Sequence, residues 1–263
     1  MPFNIIMKLG IFNKFKKDLF VALFQTLRNC SSLISIIFRK GGLYIQGMDK
    51  SHICLFEANI KKEWFDEYET NVEHNIHVDS NIFYNIINHN QDKTNLFIIY
   101  SVDDPDNLLI DILSSGKNNT VFDKHFKLPL IEHENELFQL PDLEYDAEFS
   151  IPSKNICDIL SQMSLFGDVV NFKCNDDGIN ILTNGLSGEM LVKLPINEIT
   201  EYSIVEEEEI DVSYSLSYIN KMILTNKLST EIEFCLIKDA PMKVKYSLDN
   251  ESYLIFYIAP KIS

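Results

Sequence analysis

Glycine is scarce in this 263-residue sequence, nine residues in all, and none of them falls in a Gly-rich phosphate loop or a nucleophile elbow. The five cysteines, Cys30, Cys54, Cys157, Cys174 and Cys235, are odd in number and scattered, with no CxxC pair. That cysteine pattern predicts buried free thiols in a reducing compartment, not a disulfide framework or a zinc site built on cysteines. Long apolar runs are missing too: the stretch at 20–24 is far short of the ~18 residues a membrane helix needs, so no membrane association is expected. The start, Met-Pro-Phe-Asn-Ile-Ile-Met-Lys, lacks a basic region, a long apolar segment and a small-residue cleavage site, so a secretory signal is not expected. Carboxylates are plentiful, but Asp103-Asp104-Pro105-Asp106 and the four glutamates at 206–209 have neither EF-hand nor two-metal spacing. They read as solvated acidic loops, and the sequence predicts no catalytic residue, no metal and no cofactor.

Positive charge is the other shortage. The formal net charge is −16, which argues against simple attraction to phosphate. It is unevenly spread: residues 1–140 carry 14 basic and 18 acidic side chains, residues 141–263 carry 9 and 21. The question becomes which surface the acids avoid.

Short runs rich in Ile, Leu, Phe and Tyr, bounded by Gly, Asn, Asp or Pro, predict antiparallel strands at 34–38, 43–46, 53–60, 96–101, 108–113, 169–173, 179–183, 189–194, 231–237, 242–248 and 253–258. Helical spacing of apolar residues appears at 18–29, 80–90, 153–165 and 215–228, with Asp18 as the expected cap of the first and serine opening the others. A shift of 136 residues carries 18–28 onto 154–164 and 80–87 onto 216–223. It also carries Gly42 onto Gly178, each placed between two strands. The chain therefore reads as two copies of one unit, residues 1–124 and 146–263, joined by a connector at 125–145. Of 39 acids, only Asp18 and Asp158 lie in the four predicted helices. Helix surfaces cleared of carboxylates on an acidic protein suit a face that meets phosphate.

Three segments then bear a family resemblance. Gly42-Leu-Tyr-Ile-Gln-Gly-Met-Asp-Lys-Ser-His-Ile-Cys-Leu55, Phe166-Gly-Asp-Val-Val-Asn-Phe-Lys-Cys-Asn-Asp-Asp-Gly178, and Ala240-Pro-Met-Lys-Val-Lys-Tyr246 with Tyr253-Leu-Ile-Phe-Tyr-Ile-Ala-Pro-Lys-Ile262 resemble, in order, segments of the proliferating cell nuclear antigen family. Glu63-Trp-Phe-Asp-Glu-Tyr68 adds a weaker match. The resemblance runs from about Asp18 to Ile262. It implies an α+β DNA clamp fold: two similar domains, each with antiparallel sheets and two inner helices, three subunits closing a ring around double-stranded DNA. It further implies a non-enzymatic processivity factor set in place by an ATP-dependent clamp loader. The homotrimer would hold DNA polymerase and other proteins that carry short clamp-binding motifs. Such a protein works in the nucleus, or, for a viral member, in the host nucleus or a cytoplasmic replication site. The Asn- and Ile-rich composition points to a divergent lineage.

Carried over position by position, the resemblance implies a partner groove of Met48, His52, Ile53, Phe138, Leu140, Pro141, Pro241, Tyr257, Ile258, Ala259 and Pro260. One methionine, prolines, an aromatic and small aliphatics make an adaptable apolar pocket; His52 by itself reads as an ordinary loop histidine. Subunit contact would come from edge strands at 121–128 and 188–194, with Phe126, Leu128, Met190 and Leu191 at the seam. DNA-facing cations would be Lys14, Lys16, Lys17, Arg28, Lys154, Lys221 and Lys227. Here the sequence departs from the family, which has several basic residues on each inner helix: 80–90 holds no Lys or Arg, and Asp158 and Ser161 replace expected cations. Weak intrinsic DNA affinity, with retention by topology, is the expectation. The rival readings are a subunit of a checkpoint-type hetero-trimeric clamp and a processivity factor that closes no ring.

Overall fold

The computed structural model describes residues 4–70, 72–89, 93–116, 122–133, 137–140, 143–205, 208–223 and 226–261. The chain divides into two compact units. The first comprises Met1–Gly47, Glu57–Phe138 and Asp249–Tyr253; the second comprises Met48–Phe56, Gln139–Leu248 and Leu254–Ser263.

Elements of the first half run β1 (Ile5–Ile11), α1 (Lys14–Cys30), β2 (Leu33–Arg39), β3 (Gly42–Met48), β4 (Cys54–Lys61), a 3-10 turn (Lys62–Trp64), β5 (Glu67–Thr70), β6 (His74–Asp79), α2 (Ser80–Ile87), β7 (Thr94–Ser101), β8 (Asn107–Ser114) and β9 (Lys124–Pro129). The second half repeats that order: β10 (Ala147–Pro152), α3 (Ser153–Met163), β11 (Val169–Asn175), β12 (Gly178–Gly185), β13 (Gly188–Pro195), a 3-10 turn (Ile196–Glu198), β14 (Glu201–Ile204), β15 (Ile210–Ser215), α4 (Leu216–Met222), β16 (Glu231–Leu236), β17 (Met242–Ser247) and β18 (Tyr253–Ile258). Strand order repeats as well. The order β5-β1-β7-β8-β9 is matched by β14-β10-β16-β17-β18, and β4-β3-β2-β6 by β13-β12-β11-β15. The duplication read from the 136-residue shift is thus a duplication of architecture.

The repeat extends to atoms. Gly42 and Gly178 both sit at φ +141°, where an L side chain is strained. A Cβ would press into the Ile60 carbonyl at the first and the Leu194 carbonyl at the second. Each turn is tied down by a tyrosine from the following short strand. The Tyr68 hydroxyl bonds the carbonyls of Arg39 (2.9 Å) and Gly42 (2.7 Å); that of Tyr202 bonds those of Asn175 (2.7 Å) and Gly178 (3.4 Å).

Helix packing follows the apolar periodicity. In α1, Leu19, Phe20, Leu23, Phe24 and Leu27 are buried; Phe24 meets Phe83 of α2 with ring centroids 4.6 Å apart. In the second unit Ile156, Leu160 and Met163 of α3 and Leu216, Ile219 and Met222 of α4 are buried. Phe149 and Phe234 stack beneath them at 5.1 Å. Each such side chain withdrawn from water contributes about 1.5–3 kcal/mol before entropy is set against it.

Helix starts differ from the sequence expectation. The first helix begins at Lys14, and Asn13, not Asp18, caps it, its side chain accepting from the amides of Phe15 and Lys16. Asp79 rather than Ser80 caps α2, and α4 ends at Met222. No helix among the described residues is long and apolar enough to cross a membrane.

Candidate nucleic-acid and partner surfaces

The polar stripe of α1 follows Lys14, Asp18, Val21, Gln25 and Arg28, spaced three or four residues apart so that they share one face. Lys14 and Asp18 are exposed, the others half-buried. Asn81, Asn85 and Asn88 are exposed on α2 or its end, Lys154, Asn155, Asp158 and Ser161 on α3, and Ser217 and Lys221 on α4. In all four helices the acids are Asp18 and Asp158 alone.

The predicted cations separate on inspection. Arg28 stands over the ring of Tyr84, 3.8 Å from its centroid, which holds the guanidinium in place through cation–π attraction. Lys154, Lys221 and Lys227 are exposed, Lys221 beside the Tyr218 ring at 4.8 Å. Lys16 is half-buried and pairs with Asp66 at 3.4 Å. Burial pushes the Asp66 carboxyl upward, but the amides of Phe12 and Asn13 and the Lys16 charge outweigh it and hold it below its ordinary range. Lys17 is a correction. It falls on the apolar stripe with Phe20 and Phe24, is 1 % exposed, and donates its ammonium to the Thr94 carbonyl. It anchors the helix and cannot reach phosphate.

Among the described residues the two strands expected at a subunit seam are both sheet edges: β9 pairs with β8 alone and β13 with β12 alone. On β13 Leu191 is 51 % exposed and Met190 half-buried; on β9 Phe126 is half-buried. Leu128 is a correction: alternation along the strand turns it inward, and it is buried in its own unit.

Residues of the expected groove fall mainly in the second unit. The Asp49 carboxylate accepts from the amides of Ser51 (2.9 Å), Ile53 (2.7 Å) and Cys54 (2.7 Å). It thereby shapes the loop that carries Met48, His52 and Ile53 and holds exposed His52 at φ +56°. Ala259 donates its amide to the Ile53 carbonyl at 2.9 Å, and Lys261 to that of Ser213 at 2.8 Å, so the terminal segment lies against this loop and along β15. Pro260 and Lys261 border an open cleft of about 560 Å³ with Val169, Asp211, Val212, Ser213 and Asp239. Tyr257, Ala259, Pro241 and Leu140 are half-buried. Ile258 is a correction: strand alternation puts Tyr257 outward and Ile258 inward, at 0 % exposure, in the core. Pro141 lies outside the described residues. In the first unit, exposed Phe138 is held by Gln46, whose amide exchanges two hydrogen bonds with its backbone, at 2.9 and 3.0 Å. The sequence reading passed over Gln46 and Asp49, although both lie inside the motif that carried the resemblance.

Residues 13–137 match the model of the proliferating cell nuclear antigen N-terminal domain and residues 139–261 that of its C-terminal domain. Proliferating cell nuclear antigen of Chaetomium thermophilum is 27 % identical over 228 residues, covering 84 % of this chain and 86 % of that protein. A DNA polymerase sliding clamp of Thermococcus onnurineus is 25 % identical, covering 100 % and 99 %. Among solved structures, a PCNA2–PCNA3 complex from Sulfolobus tokodaii superimposes with a TM-score of 0.85 at 21 % identity, covering 97 % of this chain and 99 % of that one.

Proposed function

Because the chain belongs to the proliferating cell nuclear antigen family, we propose that it works as a DNA polymerase sliding clamp, a ring of three identical subunits that encloses duplex DNA and tethers replication proteins. The observation that carries this reading is a duplicated fold whose four helices hold two of the chain's 39 carboxylates. Those helices form the face toward DNA. Arg28, Lys14, Lys154, Lys221 and Lys227 supply its positive charge, with Lys16 partly neutralised by Asp66. Each phosphate neutralised releases a counterion and steepens the salt dependence of binding by about one. A face with so few cations binds weakly, and enclosure, not affinity, keeps the ring on DNA.

Closure joins the free edge of β9 in one subunit to the free edge of β13 in the next. That pairing satisfies backbone groups otherwise open to unwanted strand addition and is heterologous, so it closes only at a fixed number of subunits. Phe126, Met190 and Leu191 supply apolar contact there. Residues 125–129 complete β9 at the edge of the first domain's sheet, and the stretch that follows, up to 145, connects the two domains. The loop at 48–53, the connector around Leu140 and the segment 257–260 take the short motifs of polymerase and other partners through an apolar anchor. The protein itself makes and breaks no bonds. It relies on an ATP-dependent loader to open the ring, and acts where the genome is copied, in the nucleus or at a viral replication site.

Light scattering over a dilution series tests the assembly. Three chains of 30.4 kDa give about 91 kDa, and Leu191→Glu, an exposed edge substitution, should reduce the mass to 30.4 kDa without unfolding the chain. A wild-type monomer at every concentration would contradict self-closure and move the role to a hetero-ring subunit or an open processivity factor.

A further inference from the structure

Three polar side chains form a row across neighbouring strands of the first unit: Gln46 on β3, Ser35 on β2 and His77 on β6, with Ser35 in register with both others. All three are buried. The chain leaving β9 runs against this row. Ile131 donates its amide to the His77 carbonyl at 2.9 Å, and Phe138 is held by Gln46. At the β6 end the ring of His133 stands edge-on to that of His77, centroids 5.5 Å apart and planes at 86°. His77 is 8 % exposed, and its Nε2 is buried with no hydrogen-bond partner among the described residues. His133 is exposed. A buried ring nitrogen without such a partner calls for an explanation, and a role as ligand to an ion is one.

We propose that His77 and His133 form a two-histidine site for a borderline divalent transition metal, Zn²⁺ first, which fastens the start of the connector to β6. The spacing fits. Zn–N bonds of about 2.0–2.1 Å put two imidazole centroids on one tetrahedral ion roughly 5 Å apart, close to that observed. The neutral imidazole is the ligating form. Among the described residues no third His, Cys, Asp or Glu joins the pair. An imidazole pair without carboxylates selects Zn²⁺, Ni²⁺ or Cu²⁺ over Mg²⁺ and Ca²⁺. Exposed His133 gives the ion a path in and lets its own ring turn toward it. The site lies wholly in the first unit and is independent of ring assembly.

The test is calorimetric titration of the full-length protein with ZnCl₂ near neutral pH, with Co²⁺ absorption as a spectroscopic probe. One ion per chain is expected. Binding should weaken as pH falls through the imidazole range and be lost in both His133→Ala and His77→Gln. His133 is exposed, so its replacement leaves the fold intact, and circular dichroism checks this. No ion uptake by the wild type, or uptake unchanged in His133→Ala, overturns the assignment.

Discussion

Replacing Gly178 by alanine should damage the second unit far more than its size suggests. At φ +141° an L residue costs about 1–3 kcal/mol in backbone strain. The added Cβ would also stand closer to the Leu194 oxygen than real Cβ atoms come to anything, with backbone atoms of Pro195 and Leu194 next nearest. Backbone cannot swing aside as a lysine tip can. Relief must come from moving β13 away from β12, which strains the ladder where Gly178 faces Pro195 and Ile179 faces Leu194. One weakened ladder bond adds about 1 kcal/mol, giving roughly 3 kcal/mol in total. That is a large share of the ~5–15 kcal/mol that holds a typical domain, and corresponds to a fall in Tm of roughly 10 °C for a unit of this size. Thermal melts by circular dichroism read it directly. The control is Gly41→Ala, where nothing lies within 4 Å and the change should stay within about 0.5 kcal/mol. If Gly178→Ala melts with the wild type, the reasoning about this turn, and about its twin at Gly42, is wrong.

In the groove, Tyr257→Ala or Pro260→Asp should weaken binding of a clamp-binding peptide by about tenfold or more with the assembly mass unchanged. Ile258→Asp should instead lower Tm, because it buries an unpaired charge at a cost of about 3–5 kcal/mol; peptide titration and a melt separate the two effects. Arg28→Ala should flatten the slope of log affinity for duplex DNA against log salt by about one, whereas Lys17→Met should leave that slope as it is. Glu233 is pushed up by burial but held below its ordinary 4.5 by the Lys245 hydrogen bond and the charges of Lys245 and Lys243. Its folded-state value is depressed, so its contribution is present above 4.5 and lost as pH falls through the lower folded value. Urea midpoints measured from neutral to acid should fall less steeply for Glu233→Gln than for the wild type.

The hairpin glycines, most strands and the four helices could be read from sequence because local chemistry dictates them: positive φ needs glycine, and apolar periodicity marks the buried face. Misses came where two local signals compete. Asp18 looked like a cap because it precedes an apolar run, but the run already begins with the aliphatic stem of Lys17, and Asn13 satisfies the amides. Strand β1 escaped notice although it lies between β5 and β7; Met7, Leu9 and Ile11 alternate with Lys8 and Gly10 and are buried, a period too short to stand out beside the leading Ile5-Ile6 pair. In the candidate site, residues were assigned by the motif they belong to. Period-two alternation decides which of them reach the surface, and it turns Ile258 and Leu128 inward. Gln46 and Asp49 escaped because a buried amide or carboxylate that organises a loop declares itself only through its hydrogen bonds.

Topological retention tests the sliding-clamp reading most directly. Protein is placed on nicked circular DNA by a clamp loader, passed through a sizing column in high salt, and followed before and after the circle is cut. The account predicts that it stays with the closed circle in salt that abolishes direct binding and runs off once the DNA is linear. Release from the intact circle, or equal retention on both forms, would contradict it.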